Sequence, residues 1–163
     1  MNKQICDTCL KNKTAIKCDE CQAPSCKKCT EFTLESFEEL QPMLPENLKA
    51  KILCTRCYSD SFENEFNELQ NIYEQAKEVK IYEKKLSAET RLIPRVEQAI
   101  TVEDCSDAKE VMMRLAFQAA KSGFNSLLDV EFKSSKSRDG SYKFVTWKGA
   151  GVPANVEKRF RQS

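Results

Sequence analysis

The longest apolar pattern in the chain runs over residues 59–86. Phe62, Phe66, Leu69, Tyr73, Ala76 and Lys80 follow at steps of four, three, four, three and four, and Ile72 and Val79 widen the stripe. Side chains three and four apart share a helix face, so the spacing predicts one long helix uninterrupted by Gly or Pro. Such a stripe has to be covered, either by the chain's own C-terminal region or by a second copy in a short coiled-coil homodimer. Upstream, Phe32, Phe37 and Leu40 give a shorter helical spacing over 32–40, stopped by Pro42 and Pro45. A second short helix is expected over 46–53. Both would pack on the N-terminal region as auxiliary core.

Downstream the period changes. Ile93, Val96, Ile100 and Val102 alternate loosely and predict a strand or two over 92–102. Asp104 or Ser106 is placed to cap the next helix, 107–121, which carries Val111, Met112, Leu115, Ala116, Ala119 and Ala120 on one side. Gly123 sits where a C-cap glycine belongs. Leu128, Val130 and Phe132 alternate, as do Tyr142, Phe144 and Thr146, and Asp139-Gly140 between them signals a hairpin. Residues 133–138 then fall in its loop. The chain divides into an N-terminal region 1–62, a helical linker or short coiled coil 59–88, and a small α+β domain 89–163 of order β-α-β-β.

The N-terminal region has too few apolar residues for its length to bury a stable core unaided, and cysteine changes how it is read. Eight of the nine cysteines form four Cys-x-x-Cys pairs: Cys6/Cys9, Cys18/Cys21, Cys26/Cys29 and Cys54/Cys57. The turn inside such a pair aims both sulfurs at one point, and two turns close a tetrahedron around Zn²⁺ with Zn–S near ~2.3 Å. A thioredoxin-like redox site needs a single pair beside a βαβ unit, and ferredoxin clusters use other spacings. Two Zn²⁺ per chain is therefore the expected cofactor load. Each ion supplies roughly 10–16 kcal/mol in small fingers, comparable with the whole stability of a typical domain, about 5–15 kcal/mol. Sequential pairing would join Cys6/Cys9 with Cys18/Cys21 and Cys26/Cys29 with Cys54/Cys57. Interleaving would give Cys6, Cys9, Cys26 and Cys29 as site 1, with Cys18, Cys21, Cys54 and Cys57 as site 2. Only Gln22-Ala23-Pro24-Ser25 separates the middle pairs, a link that suits interleaving better.

Ile16-Lys17-Cys18-Asp19-Glu20-Cys21, then Ala23-Pro24-Ser25-Cys26-Lys27-Lys28-Cys29-Thr30, resembles the centre of a FYVE-type zinc finger. Leu53-Cys54-Thr55-Arg56-Cys57-Tyr58 is similar to that family's last ligand pair and the start of its C-terminal helix. The resemblance spans about residues 3–62 and implies a small zinc-stabilised cross-brace finger, followed here by a long helix and the small α+β domain. The sequence departs from membrane-binding members of the family. Their basic, histidine-containing stretch is replaced by Thr14-Ala15-Ile16-Lys17-Cys18-Asp19, their upstream Trp motif is missing, and the insert over 31–52 begins with Glu31, Glu35, Glu38 and Glu39. An anionic phosphoinositide headgroup is disfavoured, and a protein partner is expected instead. RING-type ubiquitin ligation is disfavoured too, because the usual histidine is missing. The helix ending in Gly123 and the run Gly123-Phe124-Asn125-Ser126-Leu127-Leu128-Asp129-Val130-Glu131-Phe132 resembles small bacterial domains of the YbjQ type, which implies a β-α-β-β domain that associates with itself.

Charge adds a second candidate. The formal net charge of +1 counts every cysteine as a thiol. Two four-thiolate zinc sites take it to −3. Residues 131–163 carry eight Lys or Arg against three acids, so the C-terminal end is basic. Lys133, Lys136, Arg138, Lys143 and Lys148 lie near Phe132, Tyr142, Phe144 and Trp147, a combination that suits RNA. The tail Lys158-Arg159-Phe160-Arg161 continues it. The chain has no histidine, which removes the commonest general base near pH 7. With no Gly-rich phosphate loop, nucleophile motif or paired carboxylates, no catalytic residue is expected. Cys105, flanked by Glu103, Asp104 and Asp107, reads as a small, partly buried side chain, since a reactive thiolate wants positive neighbours. No apolar run approaches the ~18 residues of a membrane span, and the first residues lack the apolar core of a secretory signal. A cytoplasmic location is expected, where disulfides are rare.

Overall fold

The computed structural model describes residues 4–33, 37–49, 51–86 and 88–157. The chain forms two compact units, Met1–Gln70 and Asn71–Ser163. Glu35 and the basic tail 158–161 lie outside the described residues.

The first unit is built from short pieces. Strands β1 (Gln4–Ile5) and β2 (Lys13–Thr14) form one antiparallel pair, and β3 (Thr30–Phe32) and β4 (Ile52–Cys54) form another. Helix α1 (Thr55–Ser61) follows β4, and α2 (Glu63–Glu78) begins after a break at Phe62. The core is small: Leu40, Leu44, Leu48, Leu53 and Leu69 are buried, together with an aromatic cluster. In that cluster the Phe66 ring lies 5.4 Å from Phe37 and 5.3 Å from Phe62, spacings at which rings attract beyond simple burial.

Among the described residues neither short helix expected upstream forms. Phe32 belongs to β3, where Glu31 and Phe32 stand opposite Leu53 and Ile52, and its side chain is half exposed. Pairing with β4 satisfies the backbone here, and the register Thr30↔Cys54 carries the last cysteine pair back to the third. Glu38–Met43 is a 3₁₀ segment containing Pro42, whose missing N–H is one reason an α-helix does not propagate. Among the described residues of the expected 46–53 helix, Glu46–Leu48 forms a 3₁₀ turn, and Ile52 and Leu53 belong to β4.

The long helix also ends early. After Glu78 the chain extends into β5 (Lys80–Glu83), a strand parallel to β7 (Ser126–Asp139), with Lys80 opposite Ser126 and Ile81 opposite Leu127. Val79, Ile81 and Tyr82 are branched or aromatic and suit a half-buried strand, and the edge of β7 supplies the ladder. Leu69 and Ala76 of the helical stripe are buried within the chain itself.

In the second unit β5 is joined by β6 (Ile100–Cys105), α3 (Ala108–Lys121), β7 and β8 (Tyr142–Ala154). The sheet order is β5-β7-β8-β6, with β8 antiparallel to both neighbours. The order along the chain is therefore β-β-α-β-β, one strand more than expected. The strand expected over 92–102 starts only at Ile100, and Leu92 and Val96 are exposed. Pro94 cannot donate to a ladder. Arg95 fixes the loop instead, donating to the Thr90 and Ile93 carbonyls and to both Asp129 carboxylate oxygens at 2.8 and 3.0 Å.

Asp107, not Asp104 or Ser106, caps α3, accepting from the Glu110 N–H at 2.8 Å. Asp104 is taken by a bulge in β6 at φ 55°, and Asp129 sits in a matching bulge of β7 at φ 52°. Gly123 follows α3 at φ 82°. Val111, Leu115, Phe117 and Ala119 of α3 are buried, as are Leu127, Leu128 and Val130 of β7. The helix lies close against β8: a methyl at Gly149 would stand 2.4 Å from Val111 Cγ1 and 3.0 Å from the Glu131 carbonyl. Cys105 is fully buried, and burial pushes its thiol above the ordinary range. No helix among the described residues is long and apolar enough to cross a membrane.

Candidate metal centres

The four cysteine pairs occupy three kinds of turn. Cys6–Cys9 and Cys18–Cys21 are built alike. In each, the residue after the second cysteine turns left-handed (Leu10 at φ 55°, Gln22 at φ 59°), and its N–H returns to the carbonyl of the first cysteine at 2.9 and 3.0 Å. Non-glycine residues enter that region at a cost and stay only where the surroundings over-determine it. Cys26 and Cys29 are joined by a 3₁₀ turn, Cys29 N–H donating to the Cys26 carbonyl at 2.8 Å. Cys54 ends β4 and caps α1, which holds Cys57 in its first turn.

Backbone and small polar side chains bind these turns into one object. Asp7 N–H donates to the Pro24 carbonyl and Ser25 N–H to the Ile16 carbonyl. The Ile52 N–H donates to the Asp19 carboxylate at 2.6 Å while Asp19 N–H donates back to the Ile52 carbonyl, tying the second turn to β4. The buried hydroxyls of Thr14, Ser25 and Thr30 donate to the carbonyls of Ser25, Cys29 and Cys26.

The result is two interleaved clusters. The sulfurs of Cys6, Cys9, Cys26 and Cys29 all lie within 4.8 Å of one another, and so do those of Cys18, Cys21, Cys54 and Cys57. Cys9 and Cys26 are 3.8 Å apart at sulfur, as are Cys21 and Cys54. A tetrahedron with Zn–S near ~2.3 Å has edges of about 3.8 Å, whereas a disulfide would need about 2.05 Å. All nine cysteines are free. The donor set therefore fits two tetrahedral ions, each with four thiolates.

The electrostatics point the same way. The backbone N–H groups of Cys9 and Cys26 lower the Cys6 thiol to about 6. Cys18 is also lowered to about 6: burial opposes ionisation there, and N–H groups of Cys21, Cys54 and Glu20 outweigh it. The last thiol of each set moves the other way. Burial, then the neighbouring sulfurs Cys26, Cys9 and Cys6, push Cys29 up to about 12, and burial with Cys21, Cys54 and Cys18 pushes Cys57 up as well. Four thiolates so close do not all ionise unaided. A divalent cation at the centre supplies the charge that lets them.

One contributor is invisible in the cysteine spacing. The Asn12 amide lies 3.6 Å from Cys9 Sγ and 3.5 Å from Cys26 Sγ, placed to donate to the first cluster across its pairs.

No protein-family model, curated protein or solved structure matches this chain. The zinc-finger character thus rests on the two clusters themselves.

The five basic residues singled out in the sequence lie elsewhere. Lys133, Lys136 and Arg138 are on β7, Lys143 and Lys148 on β8, and all are exposed. The residues expected to form a loop, 133–138, are strand. The turn is only Gly140-Ser141, with Asp139 paired to Tyr142 and Gly140 at φ 59°, the positive first position of a two-residue hairpin turn.

Proposed function

We propose that residues 3–62 form a FYVE-type, cross-braced finger holding two structural Zn²⁺ ions, and that the chain acts as a non-catalytic interaction protein. The observation that carries this reading is the interleaving: the first pair meets the third and the second meets the fourth, each set at tetrahedral spacing. Both ions are closed by four protein ligands. Catalytic zinc keeps a position open for water or substrate, so these sites suit structure and not chemistry. The metal replaces the large apolar core that the first unit lacks.

The finger's role is then to present a rigid surface to a protein partner or to a second copy. Binding of a phosphoinositide headgroup is disfavoured, because the position of the family's basic stretch carries Asp19, whose carboxylate is occupied in bracing β4.

Metal content by plasma mass spectrometry, with circular dichroism before and after chelation, tests the zinc reading. Two zinc ions per chain and loss of structure on chelation are expected. No zinc, or iron in its place, would overturn it. Crosslinking mass spectrometry of the zinc-loaded chain in its native lysate tests the interaction role. Crosslinks from 4–62 to a protein or to a second copy are expected, and none from that region would remove it.

A further inference from the structure

β7 and β8 run well past the rest of their sheet. β5 pairs with β7 only over 80–83, opposite Ser126 to Val130, and β6 pairs with β8 only from Trp147 to Gly151. From Ser135 to Asp139 and from Tyr142 to Thr146 the two strands pair with each other alone, among the described residues. Five residues per strand at ~3.3 Å each give a ribbon arm of about 17 Å.

The arm is charged in an uncompensated way. It holds Lys136, Arg138 and Lys143 against a single acid, Asp139 at its tip, and Lys133 faces Lys148 at its base. None of the five cations makes an ion pair among the described residues. The nearby Glu131 is engaged by Lys84 at 2.7 Å. Two cross-strand pairs set cation directly against cation, Lys133 opposite Lys148 and Arg138 opposite Lys143. Like charges facing each other across strands destabilise a hairpin; Arg138 Nε also donates to the Gly140 carbonyl of the turn at 2.8 Å.

Rings accompany the charge. Tyr142 is 76% exposed and Phe144 41%. The register places them on one face with Lys133 and Lys148, while Lys136, Arg138 and Lys143 share the other face with Trp147. Between them lie only small hydroxyl residues and Val145, with Ser135 and Thr146 bonded to each other at 3.0 Å.

We propose that this arm is a binding site for single-stranded nucleic acid. Its opposed cations neutralise phosphates, and Tyr142 and Phe144 stack on unpaired bases. Exposed rings favour a single strand over a duplex, whose bases are already stacked. A phosphate between two facing cations relieves the repulsion that the free arm carries. The site is independent of the zinc-binding reading.

The test is fluorescence anisotropy of labelled 20-mer oligouridine and oligothymidine with the zinc-loaded full chain, against a duplex of the same length. Binding at low salt is expected, with log K falling against log salt by about 0.7 per phosphate contact, up to a slope of about 3.5 for five cations. K133T/R138T should weaken binding on the order of tenfold at low salt and cut the slope by about 1.4. K133T alone should melt no lower than the parent, because it removes a like-charge pair and leaves the Arg138 bond to the Gly140 carbonyl in place. Y142A/F144A should weaken binding on the order of tenfold per ring with the slope unchanged. No binding at low salt, a preference for the duplex, or an affinity indifferent to both variants would overturn the proposal. So would a change of oligomeric state in Y142A/F144A with nucleic-acid affinity intact, which would make the arm a contact between copies.

Discussion

Gly149 is the point of closest approach between α3 and the sheet, and G149A shows what that closeness is worth. The added methyl would stand 2.4 Å from Val111 Cγ1, 3.0 Å from the Glu131 carbonyl and 3.4 Å from Phe132 Cδ1. Carbon pairs settle near ~3.5–4.0 Å, so the Val111 methyl has to retreat by about 1 Å. Val111 is fully buried, and the helix has no room to yield without disturbing its other contacts. Overpacking of this kind costs about 1–3 kcal/mol. V111A alone loses two buried methyl groups, about 2 kcal/mol with the space left behind. Combined, the new methyl at 149 enters the space vacated at 111. The double variant should then fall short of the sum of the singles by about 1–2 kcal/mol. The single tryptophan, Trp147, lies on β8 two positions from Gly149, so its fluorescence in urea follows the second unit alone. Additive losses, or a G149A protein as stable as its parent, would refute the packing of α3 on β8 described above.

Two further perturbations probe the polar framework. Asp129 lies below the usual carboxylate range, first because the Arg95 side chain donates to it and then through the positive charges of Arg95 and Lys84. Its stabilisation is present above the unfolded carboxylate value, near ~3.9, and is lost as pH falls through the lower folded value. D129N, which tolerates the left-handed backbone, should therefore lower the urea midpoint at pH 7 and flatten its decline toward acid; an unchanged acid limb would deny the Arg95 contact any energetic part. N12A removes the amide at Cys9 and Cys26 and should weaken zinc at one of the two sites about tenfold in competition with a chromogenic chelator. Equal affinities before and after would reduce Asn12 to a bystander.

The cysteine clusters were legible because the Cys-x-x-Cys turn is local and sulfur chemistry limits what four such turns can do together. What lay beyond the sequence was set by distant partners. Lys80 to Glu83 continue the helical spacing of Phe66, Leu69, Tyr73 and Ala76, and only the edge of β7 turns them into a strand. Leu10 and Gln22 adopt left-handed backbone without being Gly or Asn, so no residue type announces it. Asp104 and Asp129 read as helix-cap and strand residues, whereas each sits in a bulge beside β8. Arg95 draws its partners from a loop and a bulge that no periodicity connects. The Asp139-Gly140 hairpin was legible, while the length of its arm was not, because serines and lysines at 133–138 carry no strand pattern of their own.

Zinc counting in paired cysteine variants addresses the interleaving at the heart of the finger. C6S/C26S takes both substitutions from one cluster, and C6S/C18S takes one from each. Native mass spectrometry should find one zinc retained in C6S/C26S and none tightly held in C6S/C18S. The opposite pattern, with C6S/C18S keeping one ion and C6S/C26S losing both, would mean sequential ribbons and contradict the cross-brace.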